Sequence, residues 1–169
     1  MRRPRLALLV MAAGLALLSI AAVLLVRERI LEPGDAPLPT DLAGLTLQRA
    51  VYGRQAVAEL TRLHGRSFPL TAGAVGMYGP SGNSTLWVSE APGGAAAAAL
   101  VWSMERSIAE TQTPFTPVED RTTPEGEIHV LAGFGQTHHY FRLGSRVLWL
   151  AADPNLAEAA LQDTMEYYR

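Results

Sequence analysis

The sequence predicts an α+β fold class: a single N-terminal transmembrane helix, then an antiparallel sheet of about five to seven strands carrying three helices. Three observations carry this reading. Residues 6 to 26 form one unbroken apolar run. Beyond it the apolar period switches repeatedly between two and 3.6. Clusters of Gly, Pro, Ser and Asn separate the alternating stretches, as hairpin turns do.

The apolar run, LALLVMAAGLALLSIAAVLLV, is 21 residues without a charge, and Ser19 is its one polar side chain. At 1.5 Å per residue such a helix spans roughly 31 Å, the thickness of a hydrocarbon layer. Arg2, Arg3 and Arg5 precede it, whereas Arg27 and Arg29 follow with Glu28 between them. This bias favours an N-terminus on the cytoplasmic side and a C-terminal domain outside. Cleavage as a signal peptide, with Ser19 and Ala21 before the cut, is the competing reading. It would leave AVLLV exposed, so an uncleaved anchor over residues 1–29 is expected. Ala12 and Ala16 form one small-xxx-small pair, and no charge inside the span marks an ion path.

Residues 30–40, ILEPGDAPLPT, hold three prolines and a glycine. Proline fixes φ and removes a donor, so this stretch reads as an extended tether and not as a strand. The folded domain is expected over 41–169. Within it, 45–53 reads as a strand and 54–65 as a helix with Val57, Leu60 and Leu63 inward and Gly65 as its stop. A hairpin follows through PSGN, from AVGMYG into STLWVSE. The next helix uses Ala97, Leu100, Val101, Met104 and Ile108, with Glu105, Arg106 and Glu110 elsewhere. Strands are expected over 114–122 and 127–134, then a hairpin through Leu143, Gly144 and Ser145. Asp153 is read as the N-cap of the last helix and Pro154 as its first turn. That helix has an apolar stripe of Ala157, Ala160, Leu161, Thr164, Met165 and Tyr168. Helices are expected to cover one face of the sheet.

An offset of 62 residues aligns 76–92 with 138–154 and pairs Tyr78 with Tyr140, Gly82 with Gly144 and Pro92 with Pro154. It also pairs Leu86 with Leu148 and Trp87 with Trp149. Two β-β-α repeats and mere shared architecture both account for this.

Composition excludes several functions. There is no cysteine, hence no disulfide, thiolate zinc site, iron–sulfur cluster or covalent haem. Residues 30–169 hold nine Arg against fifteen acids, a poor nucleic-acid surface. All fourteen basic residues are Arg; no Lys follows the Gly/Ser-rich YGPSGNST, so a phosphate loop is not expected there. Ser81 and Ser103 lack a nucleophile-elbow context, and Asn83-Ser84-Thr85 fits a glycosylation sequon.

The histidines are the candidate ligands. His129, His138 and His139 are the metal candidates, set against a reading as ordinary strand positions. Neighbours on a strand point to opposite faces, so His138 and His139 do not chelate one ion. His129 alternates with Ile128 and Val130 and is expected to face away from the core. His64 ends the first domain helix, where the dipole favours an imidazole. Glu119, Asp120, Arg121, Glu125 and Glu127 lack the spacing of a calcium loop and read as a solvated hairpin tip. The expectation is therefore a plasma-membrane, single-pass protein whose outer domain binds a membrane-protein partner as a non-catalytic accessory subunit, without nucleic acid and without a cofactor. A metal- or ligand-binding sensor or enzyme built on the strand histidines is the alternative.

Overall fold

The computed structural model describes residues 3–64, 67–110 and 113–169, without the side chains of residues 3–7 and His64. Arg2 and the expected helix stop Gly65 lie outside the described residues, as do the side chains of Arg3, Arg5 and His64. The N-terminal helix α1 (Arg3–Leu31) runs past the expected end of the anchor at residue 29. Its stretch Leu8–Leu31 is long and apolar enough to cross a membrane, and none of its apolar window is buried against the rest of the chain. Ser19 satisfies its hydroxyl inside the helix by donating to the Leu15 carbonyl at 2.9 Å, as a helix in hydrocarbon requires.

The remainder is α+β. Its strands are β1 (Gly34–Asp35), β2 (Asp41–Leu42), β3 (Leu45–Tyr52), β4 (Ala72–Tyr78), β5 (Ser84–Glu90), β6 (Thr116–Thr123), β7 (Gly126–Gly133), β8 (Gln136–Leu143) and β9 (Arg146–Ala152). The helices are α2 (Gly53–His64), α3 (Gly94–Glu110) and α4 (Ala157–Tyr168). Nine strands exceed the five to seven expected, because β1 and β2 are two-residue strands too short to leave a periodic signal. The order is β2-β3-β4-β5-β9-β8-β7-β6, antiparallel throughout, with β1 paired parallel to β4.

The expected one-sided cover does not hold. Ala157, Ala160, Leu161 and Tyr168 of α4 close one face over Leu86, Val88, Phe141, Leu148 and Leu150. Leu60 of α2 and Ala97, Leu100 and Met104 of α3 close the other over Leu131, Tyr140 and Val147, with Trp87 and Trp149 packed against them. Both members of each Leu-Trp pair therefore pack in a core, Leu on the α4 face and Trp on the α3 face. Alternation was a guide only to which face each residue takes. Leu63, expected inward, is 62% exposed.

The proline-rich stretch is built into the sheet. Gly34 and Asp35 pair with Ala72 and Gly73, and Ala36 is 1% exposed. Pro37, Leu38 and Pro39 lend their carbonyls to the hydroxyls of Tyr168 at 2.6 Å, Tyr167 at 3.2 Å and Tyr78 at 3.0 Å. Only Glu32 and Pro33 separate α1 from β1, and Glu32 pairs with Arg54 at the start of α2. Gly53 seals this junction at φ +56°, where a Cβ would lie 2.8 Å from Asp35 Oδ1 and 3.2 Å from the Pro33 carbonyl. A left-handed conformation costs a side-chain-bearing residue roughly 1–2 kcal/mol. Gly53→Ala is expected to lose about that much in urea unfolding, and an unchanged midpoint would show that the junction relaxes freely.

The helix α4 starts at Ala157, a turn later than expected, and no side chain caps it. Asp153 instead accepts from Asn83 Nδ2 at 2.9 Å and donates its own N–H to the Asn83 carbonyl, tying the β4–β5 loop to the end of β9. The sequon asparagine thus spends its amide inside the fold. The 62-residue repeat holds only for β5 and β9, where Trp87 lies directly opposite Trp149 at the centre of the sheet. Ser84 pairs with Tyr78, whereas its counterpart Arg146 pairs with Leu143, three residues beyond the counterpart of Tyr78. A slip of an odd number of residues reverses faces. Tyr78 accordingly lies on the α4 face and Tyr140 on the α3 face, and the helices α3 and α4 also fall on opposite faces.

Candidate functional site

The chemistry gathers on the α3 face, where β6 to β9 present Asp120, His129, His138, Tyr140, Arg142 and Trp149. The β6–β7 hairpin turns through Pro124 and Glu125, and its register sets Asp120 opposite His129. Asp120 is therefore a strand residue and not part of a solvated tip. His129 is 8% exposed, because α3 roofs the face it was expected to offer to solvent. Its Nδ1 lies 2.7 Å from Asp120 Oδ1 and its Nε2 3.0 Å from Glu105 Oε1 on α3. Ionised carboxylates only accept, so both bonds form when the ring carries both protons. The ring stacks on Tyr140 at 4.5 Å between centroids, and Tyr140 stacks on Trp149 at 5.2 Å. Burial raises the pKa of the Tyr140 phenol, with Glu105 and Asp120 adding to the effect.

His138 lies on the same face, opposite Leu131. Trp149 Nε1 donates to its Nδ1 at 3.1 Å, and its Nε2 lies 3.1 Å from the Gly133 carbonyl. A carbonyl only accepts and an indole only donates, so the proton sits on Nε2 and the ring is neutral. Burial lowers its pKa, and the Gly133 carbonyl opposes that in part. The Phe115 ring meets both His138 and Trp149 edge-on, at 4.9 and 5.2 Å. His139 points to the opposite, α4 face, 1% exposed, with an Nδ1 that has no partner.

The three candidate histidines are thus not brought together. His129 is held between two carboxylates, His138 between a carbonyl and an indole, and His139 lies across the sheet from both. No cluster of three or more His, Asp or Glu side chains suited to a metal ion occurs among the described residues. The side chain of His64 lies outside them. The acidic group near β6 is also dispersed. Arg121 donates to Glu119 at 2.6 Å and to Glu158 of α4 at 2.7 Å, and Glu125 pairs with Arg169 at 2.8 Å.

Beside His129 opens a cleft of about 160 Å³ lined by Ala98, Val101, Trp102, Glu105, Glu127, His129 and Arg142. Trp102 is 59% exposed on the outer side of α3, and the Arg106 guanidinium lies 5.5 Å from its ring centre. Sequence reasoning placed Glu105 and Arg106 off the apolar stripe but assigned no role to Trp102, Glu127 or Arg142 as a group. Reading TPEG as a two-residue turn would have set Asp120 against His129. Nothing in the one-dimensional pattern joins α3 to them. No known protein-family model, curated protein or solved structure matches the chain.

Proposed function

We propose that this chain is a single-pass protein of the plasma membrane whose C-terminal domain lies outside the cytoplasm and works by binding, as a non-catalytic accessory subunit of an envelope complex. The observation that carries the reading is the junction: an apolar helix whose spanning stretch is not buried against the domain passes through two residues into the sheet. A domain attached so closely stays at the bilayer surface, where its natural partners are other membrane proteins. The arginines at residues 2, 3 and 5 favour a cytoplasmic N-terminus. The non-catalytic part is supported by the histidines. Of the three strand histidines, the two on the α3 face have both ring nitrogens bonded within the fold and the third is buried, so none of these three is free to act as a general base.

Expression of the full chain with a C-terminal tag tests both parts. The tag is expected to remain in the membrane pellet after alkaline carbonate, to be cut by protease added outside intact cells, and to recover a larger assembly in native mass spectrometry after mild extraction. Release by carbonate or protection from external protease would remove the anchored, outward topology. Recovery only at the mass of one chain would remove the subunit reading.

A further inference from the structure

We propose that the cleft beside His129 binds a small zwitterion, a ligand carrying an ammonium group and a carboxylate or phosphate on one short frame. Its walls carry both charges, and Glu127 and Arg142 form no ion pair among the described residues. The β7–β8 register pairs Ile128 with Phe141, and the residues next to that pair, Glu127 and Arg142, both line the cleft. Opposite residues on neighbouring strands lie about 5 Å apart at their Cβ atoms, close enough for opposite charges to attract. Among the described residues Arg142 has no carboxylate partner; its Nη1 is turned back to the Gly144 carbonyl at 2.9 Å. Glu127 likewise has no ion pair among them, and Glu105 gives one oxygen, Oε1, to His129. An anionic and a cationic side chain, both exposed, thus line one cleft without an ion pair between them among the described residues.

One lining residue is fixed. His129 is pinned by Asp120 and Glu105 and backed by the Tyr140–Trp149 stack, so this wall of the cleft keeps its shape. Trp102 supplies an apolar wall, and Ala98 is small enough to leave the space open. The volume of about 160 Å³ equals roughly five liquid waters, the scale of an amino acid or a phosphoethanolamine group. The ligand's oxyanion would meet the guanidinium of Arg142, whose planar fork suits carboxylate and phosphate alike. Its ammonium would meet Glu127 and the remaining oxygen of Glu105.

Two sources share this chemistry: a free α-amino acid and the headgroup of phosphatidylethanolamine. The cleft lies toward the end of the sheet at which the chain enters from α1, since Gly34, Ala72, Glu90, Arg146 and Leu143 are successive partners across the strands there. The inference goes beyond the anchored-subunit reading and stands without it, because the cleft is formed wholly by α3, β7 and β8.

The test uses the full chain in phosphatidylglycerol nanodiscs, which supply no ammonium. Calorimetric titration with glycerophosphoethanolamine, and with each of the twenty protein amino acids in turn, is expected to give one saturable site. Arg142→Gln, which removes the cation pole, and Ala98→Phe, which fills the cleft and keeps every charge, are each expected to weaken it by about tenfold or more. Circular dichroism checks that both variants fold, and either one alone suffices. Binding of glycerophosphoethanolamine assigns the lipid source, and binding of an amino acid assigns the soluble one. No saturable binding by any probe, or binding unchanged in the folded variants, overturns the proposal.

Discussion

Acidifying the folded protein from pH 6.5 to about 4 is expected to destabilise it by about 3 kcal/mol through His139 alone. Its ring is 1% exposed, lies between the buried Val130 and Leu150 in register, and has an Nδ1 without a partner. Burial pushes its pKa down to about 4; the Arg121 guanidinium and His138 push the same way, and Glu158 and Glu119 push back. The folded state therefore binds the proton less readily than the unfolded chain, whose histidine titrates near 6.5. Above pH 6.5 neither state is protonated and His139 carries no penalty. As pH falls the unfolded chain takes up the proton first, and the loss is complete once pH passes the folded value. His139→Leu is expected to abolish this contribution and to hold or raise stability near neutrality, because an unpaired polar atom is exchanged for an apolar one. Urea unfolding of both proteins at the two ends of the window decides it. Equal acid losses in the two would assign the effect to other groups.

The elements were legible wherever local pattern and packing agree. The stripe of α4 read from spacing, Ala157, Ala160, Leu161, Thr164, Met165 and Tyr168, is the stripe that meets the core. The β4–β5, β6–β7 and β8–β9 hairpins followed from turn residues, whereas the β7–β8 turn at Phe134 and Gly135 did not. What local pattern does not encode is which side of the sheet a helix returns to. For α3 and α4 that choice is set by the paths of the connections, and α3 turns the second face from a solvated surface into a core. This explains why His129, an outward residue by alternation, is buried. It also explains why Trp87 and Trp149 are half-buried against a second core while Leu86 and Leu148 beside them are fully buried in the first.

The candidate site was legible in part. The strand geometry that separates His138 from His139 is a consequence of period two and holds for any register. Pairing His129 with Asp120 required the length of the β6–β7 turn, and adding Glu105 required the placement of a helix from a different hairpin. Arg142 and Glu127 come to one cleft only because β7 and β8 pair. Long-range partners of this kind leave no trace in sequence spacing, so charges that look like an ordinary solvated face in one dimension become two poles of one cleft in three.

The proline-rich stretch shows the same limit and supports the second large effect. Proline lacks an N–H, which is why 37–39 makes no ladder, but its carbonyl still needs a donor. Three tyrosine hydroxyls supply donors from the far parts of the chain, at residues 78, 167 and 168. Burial raises the pKa of Tyr78 and Tyr168, so both remain protonated donors. Tyr78→Phe and Tyr168→Phe each leave a carbonyl unpaired in a buried or half-buried place, at about 1–3 kcal/mol apiece. Because both hydroxyls hold one short run, a double-mutant cycle is expected to show a coupling of about 0.5 kcal/mol or more. The amides of Gly34 and Ala36, which donate to Thr71 and Gly73, report the release directly. In the double variant their hydrogen exchange is expected to rise well above that of β5 and β9, because the stretch that joins α1 to the sheet comes free while the central strands stay paired. Additive stabilities with unchanged exchange at Gly34 and Ala36 would mean that β1 is held by its pairing to β4 and not by the tyrosines.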